Sequence, residues 1–154
     1  MFELRTLLTP GRTLCKAPGL SKKRLFESAA NLISDNHPEL RGSDVFSALL
    51  GREKLGSTAL GEGIAIPHCR ISQCPEAIGS LITLEEPIDF DAPDRQPVDI
   101  LFVLLVPEEA DQEHLQILSG LAGLLSNPEF SRGLRSAETN EELHRFAVEF
   151  SSQD

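Results

Sequence analysis

The chain has 154 residues, 40% of them apolar, which is enough for one compact domain with a buried core and too few for two ordinary ones. Its formal charge of −10 repels phosphate backbones, so nucleic acid is not an expected partner. The longest apolar run, Ile100 to Val106, has the length of a strand and falls far short of the roughly 20 residues of a membrane-spanning helix, so no membrane insertion is expected.

The start, MFELRTLLTPGRTLCK, lacks the cationic, apolar and small-residue pattern of an export signal, and the expected location is the cytoplasm. Cys15, Cys69 and Cys74 form an odd set without framework spacing and read as thiols. Ser21 can cap a helix over 21–35 whose apolar side is Leu25, Ala29 and Leu32 or Ile33, and His37-Pro38 ends it. Lys22-Lys23-Arg24 at its start reads as a solvated face. A second, short helix starts at Ser43, carries Val45, Phe46, Leu49 and Leu50 on one side, and stops near Gly51. The next stretch, GREKLGSTALGEG over 51–63, has four glycines and no hydrophobic period, and reads as a loop.

Ile64-Ala65-Ile66 is a brief strand cut off by Pro67, which sets His68 where a strand meets a loop. Strands are predicted over 77–84 and 98–106, and the second is apolar on nearly every residue, as in a central strand buried on both faces. After Pro107, Asp111 can cap a helix with Leu115, Leu118, Ala122 and Leu125 at helical spacing. Asn127-Pro128 closes it, and His114 lies in its first turn. Two further amphipathic helices are predicted over 128–135 and 139–150. Together these elements predict a single α/β domain over 1–154, a central mixed sheet with helices on both faces.

Four histidines are the first candidates for chemistry. His37 at a helix end and His144 among charged residues both read as solvent-facing and inert. His68 differs, because a glycine-flanked loop and a short buried strand present its imidazole at a rigid exit.

The run Glu53 to Cys69, EKLGSTALGEGIAIPHC, resembles the active-site signature of the fructose- and mannitol-type enzyme IIA family of the phosphotransferase system, in which Gly-x-Gly-Ile-Ala-Ile-Pro-His presents a phosphorylated histidine. The resemblance continues in FDAPDRQPVDILFVLLVP at Phe90 to Pro107 and in HLQIL at His114 to Leu118, and its wording is nearest the nitrogen-regulatory branch. It implies the mannitol-type enzyme IIA fold, His68 as nucleophile, and Arg52 and His114 as the supporting arginine and second histidine. It also implies an HPr-like phosphocarrier (NPr) as donor, with the phosphorylation state regulating target proteins that the sequence does not name. Cys69 stands where a glycine is common and Ala59 where one is frequent.

A neutral imidazole, with an ordinary pKa of about 6.5, can attack phosphorus at pH 7 without a separate base. Phosphoryl transfer then asks the protein to align donor and acceptor and to balance charge on the equatorial oxygens. Arg52 can supply a guanidinium fork, Ser57 and Thr58 can offer hydroxyls to phosphate oxygens, and His114 can donate from its ring. Read without the resemblance, Arg52 is a surface arginine and His114 a helix-end residue. No Walker-type loop or paired metal carboxylates are present, so neither cofactor nor metal is expected.

Other readings remain beside this one. A zinc site on His68, Cys69, Cys74 and His114 has the right ligand types in no common spacing. A Cys69 nucleophile beside His68 is disfavoured because neighbours on an extended segment point oppositely. A binding module acting through its surface, and a sugar-transport enzyme IIA that passes phosphate to an enzyme IIB, are the functional alternatives. No feature demands a permanent oligomer, and a monomer or weak dimer is expected.

Overall fold

The computed structural model describes residues 4–18, 21–109 and 112–152. After two short 3-10 turns, the elements in chain order are β1 (Thr13–Ala17), α1 (Lys22–Asn36), α2 (Gly42–Lys54), β2 (Ala59–Gly61), β3 (Ile64–Ala65), β4 (His68–Ile71), β5 (Ile78–Ile88), β6 (Val98–Pro107), α3 (Gln112–Leu125), α4 (Pro128–Ser136) and α5 (Asn140–Ser151).

The strands form one mixed sheet in the order β1-β5-β6-β3-β2, with β4 lying beyond β3 on the same side of β6. β1 runs parallel to β5, β5 antiparallel to β6, and β3 and β4 both parallel to β6. β6 is central, as its unbroken apolar run predicts. From Ile100 onward its side chains alternate between two cores: Leu101, Val103 and Leu105 join the α1–α2 side, while Ile100, Phe102, Leu104 and Val106 join the side of α3, α4 and α5. Both faces of the sheet are therefore covered, as an α/β architecture requires.

Most helix ends follow the local chemistry. The Ser21 hydroxyl accepts from Arg24 N at 3.2 Å and starts α1. Asn127 closes α3 and also caps α4 by accepting from Glu129 N at 2.9 Å, and Thr139 caps α5 through Glu142 N at 3.0 Å. The cap expected at Asp111 lies outside the described residues. On the sheet, Gly79 lies so close to β6 that a Cβ there would meet the Phe102 ring at 2.7 Å.

Four expectations need correction, the first being that His68 sits where a strand meets a loop: it opens the strand β4 and pairs with Leu104 of β6. The segment 51–63 is not one loop: α2 continues through Arg52 and Glu53 to Lys54, and Ala59–Gly61 pairs antiparallel with β3 as a hairpin. The strand expected over 77–84 continues past Pro87 to Ile88. β1 was not expected at all; it is a sheet-edge strand, and its Cys15 N–H is satisfied by the Asn140 side chain at 2.7 Å. No described helix is long and apolar enough to cross a membrane.

Candidate active site

His68 opens β4 after the Ile66-Pro67 step, and alternation along the strand sends its neighbours to opposite sides. Cys69 and Ile71 enter the α1–α2 core, whereas the half-buried His68 and exposed Arg70 face the other way, toward α3. Pairing with β6 in register, His68 with Leu104 and Ile71 with Pro107, holds this segment to the central strand.

The imidazole is oriented from its own backbone. His68 Nδ1 lies 2.7 Å from the Ile66 carbonyl oxygen, which can only accept. Nδ1 therefore carries the proton, and the lone pair of the neutral ring sits on Nε2. Burial holds the imidazole below the usual histidine range; the Ile66 hydrogen bond and Glu53 oppose this, and the positive charge of Arg52 adds to it. His68 is thus neutral at pH 7.

His114, in the first turn of α3, brings its ring centroid to 5.8 Å from that of His68, at an interplanar angle of 52°. Only 8% of His114 is exposed, and its buried Nδ1 has no hydrogen-bond partner among the described residues. Burial pushes its pKa down, with His68 and Arg70 as further causes. A proton on Nε2 spares the neutral ring an orphaned buried N–H at Nδ1.

Arg52 stands in the last turn of α2 and donates from Nη1 to the Gly56 carbonyl at 3.0 Å. The other hydroxyl-bearing candidates are engaged within the loop. Ser57 Oγ donates to the Phe90 carbonyl at 2.7 Å and accepts from Ala59 N at 3.1 Å, and Thr58 Oγ1 donates to Glu53 Oε1 at 2.7 Å. Contact of either hydroxyl with a phosphate, as expected from the sequence, requires it to leave its present acceptor. The β2–β3 hairpin beyond is tied to the body by Arg135, which pairs with Asp99 at 2.9 Å and donates to Glu62 O at 2.9 Å. Gly63 turns there at φ +84°, and a Cβ on it would meet Arg135 Nη2 at 2.7 Å, so only glycine fits.

The sequence brought His68, Arg52 and His114 forward, and the structure sets His114 against His68 and makes the Arg52 charge felt there. It missed Arg70, although a position two residues after His68 on a strand was a legible signal. It also missed Glu53, a buried carboxylate paired with Lys22 at the start of α1 and with Thr58 just after α2. The two histidines read as solvent-facing are both partly buried: His37 Nε2 accepts from Arg12 at 3.1 Å, and His144 Nε2 lies 3.3 Å from the Leu8 carbonyl. Cys69 is buried, with its thiol pushed up to about 12, chiefly by desolvation. Among the described residues, no three His, Cys, Asp or Glu side chains come together as a metal site. Three large leucines are exposed on segments that carry or adjoin the site: Leu55 (84%), Leu60 (46%) and Leu115 (64%).

A mixed sheet covered on both faces, with a histidine on a short strand beside the central one, is the architecture of a type 2 enzyme IIA. Residues 6–149 match the family model described as the phosphoenolpyruvate-dependent sugar phosphotransferase system, EIIA 2, and the chain belongs to that family. Within it, the chain resembles the nitrogen-regulatory branch. It is 50% identical over 149 residues to a "Nitrogen regulatory protein" of Pseudomonas aeruginosa, covering 97% of each chain, and 40% identical over 149 residues to that of Escherichia coli (96% of this chain, 91% of the relative). The crystal structure of Nitrogen Regulatory Protein IIA-Ntr from Neisseria meningitidis superposes with a TM-score of 0.86 at 42% identity, covering 94% of this chain and 98% of that one. The Escherichia coli IIA mannitol structure, at 19% identity and a TM-score of 0.74 over 91% of this chain and 98% of that one, shares the fold.

Proposed function

We propose that His68 is the phosphoryl-carrying residue of a phosphoenolpyruvate-driven relay, and that it accepts the group on Nε2 from a phosphohistidine of an HPr-like carrier (NPr). The observation that carries this reading is the 2.7 Å hydrogen bond from Nδ1 to Ile66 O, which leaves the nucleophilic lone pair on Nε2 of a neutral ring. In the transfer, the Nε2–P bond forms as the donor's N–P bond breaks, and the proton stays on Nδ1, hydrogen-bonded to Ile66 O. Both ends are nitrogen–phosphorus bonds of similar energy, so the step is reversible.

The supporting groups match the charge that must be met. Arg52 and Arg70 bring two guanidinium groups to the neighbourhood of a histidine on a chain of charge −10, and His114 can donate from Nε2. Ser57 and Thr58 shape the loop and can contribute hydroxyls if their present acceptors release them. The exposed Leu55, Leu60 and Leu115 suit a docking protein rather than a small donor.

For the output, the names of the relatives support regulation over sugar import: the phosphorylation state of His68 changes which cytoplasmic proteins dock. A phosphate of about −2 charge would neutralise a cationic spot and add acceptor oxygens. The same exposed leucines favour a second reading, in which targets bind regardless of phosphate. The chemical reading is tested by ¹H–¹⁵N and ³¹P NMR on the protein phosphorylated by its carrier. Phosphorus coupled to Nε2 of His68 is the expected result, and a phosphate on Nδ1 or on another residue overturns it.

A further inference from the structure

We infer that Glu53 and Lys22 form a positioning pair for His68, acting through a series of hydrogen bonds that runs through the residues Thr58 and Ile66 and ends on the imidazole. The inference deepens the relay reading above and rests on it for its kinetic arm only. The line begins at Lys22, the first residue of α1, whose ammonium lies 2.9 Å from Glu53 Oε2. Glu53 Oε1 and Oε2 accept from the Thr58 hydroxyl at 2.7 Å and from Thr58 N at 3.3 Å. The Thr58 carbonyl accepts from Ile66 N at 3.0 Å, and the Ile66 carbonyl accepts from His68 Nδ1 at 2.7 Å. A buried carboxylate in the last turn of α2 thereby anchors Ile66 through its N–H, and the carbonyl of the same residue fixes the tautomer and tilt of the nucleophile.

The chemistry of Glu53 argues for a purpose beyond packing. Its side chain is 4% exposed, and a buried ion pair often adds nothing to stability compared with apolar groups of the same volume. What a carboxylate offers here is two acceptors for one residue, Thr58, plus a negative charge that raises the imidazole pKa against burial. Lys22 is held in turn, 4.5 Å over the Phe90 ring and 3.3 Å from Asp91, and the Phe90 carbonyl receives the Ser57 hydroxyl. Gly56, Ser57 and Thr58 are thus fastened one after another, by Arg52, by Phe90 and by Glu53. Arg52 and Glu53 are consecutive on α2, so the same clamp sets where the guanidinium stands relative to His68.

The test uses full-length Glu53→Gln and Lys22→Met beside wild type, with two readouts. In the unphosphorylated protein, ¹⁵N shifts of His68 report the tautomer: wild type should show Nδ1 protonated, and both variants a mixture of tautomers. In single-turnover transfer from a phosphorylated HPr-like carrier, both variants should be slowed about 10-fold or more at saturating carrier, with the half-saturating carrier concentration unchanged, as for a nucleophile slightly misplaced. The double variant should be no slower than the slower single one, because both break the same line. Unchanged ¹⁵N shifts in both variants overturn the inference, as does full transfer rate in both. Wild type that accepts no phosphoryl group would instead refute the relay reading, while the tautomer measurement still decides the role of Glu53.

Discussion

Replacing Arg52 by methionine removes a charge and a fork of donors while keeping most of the apolar stem. In the structure one guanidinium donor holds the Gly56 carbonyl, and the positive charge holds the His68 pKa down. Two consequences follow in opposite directions. The imidazole becomes slightly more basic, so its titration midpoint rises, which favours the nucleophile. On the proposed role of Arg52, the transition state loses a cation set against its equatorial oxygens, and removing one such preorganised donor costs roughly 10²- to 10³-fold, or about 2.7–4 kcal/mol. The second effect dominates, because a slightly raised midpoint leaves the ring largely neutral at pH 7.5. Arg52→Lys should fall between, keeping the charge but losing the planar fork. Rapid-quench transfer from a ³²P-labelled carrier at pH 7.5, with the His68 midpoint followed by NMR in the same variants, measures both. Transfer within two-fold of wild type, or a midpoint that falls in Arg52→Met, would refute the electrostatic role assigned to the guanidinium.

Other consequences concern pH, the core and the thiol. His68 and His114 both titrate below the unfolded value of about 6.5, so in that window the unfolded chain binds more protons than the native one. Their contribution to stability is fully present above about pH 6.5 and is lost as pH falls toward the folded values; urea midpoints from pH 7.5 to 5 should decline less in a His68→Gln/His114→Gln double variant. Arg12 is buried and donates to Leu7 O, Gly79 O and His37 Nε2, so Arg12→Met should destabilise the fold by about 3 kcal/mol in urea unfolding, and a loss under 1 kcal/mol would deny it that role. Cys69, buried with its thiol pushed up to about 12, should resist iodoacetamide at pH 8 in the native protein and react once the chain is unfolded.

Where local chemistry decided the structure, the residues could be read directly. Ser21 and the His37-Pro38 pair bracket α1 within a residue, and the apolar run of β6 announces a strand between two cores. The signature around His68 carried the site, because its short strand and proline stop are local features. The rest depends on partners remote in sequence. β1 is short and mixed in polarity, and is a strand because β5 and Asn140 satisfy it. The end of α2 was hidden because the apolar period stops at Leu50, and the burial of Glu53 depends on Lys22, 31 residues away. His37 and His144 looked idle for the same reason: Arg12 and the Leu8 carbonyl lie 25 and 136 residues away.

The relay reading meets its most direct test in intact-mass spectrometry at neutral to mildly alkaline pH, after incubation with phosphoenolpyruvate, enzyme I and an HPr-like carrier. A single phosphoryl adduct, lost on acid treatment and missing from a folded His68→Ala variant, is the predicted result. An adduct that persists in His68→Ala, or no adduct on the wild-type chain with several such carriers, would contradict it.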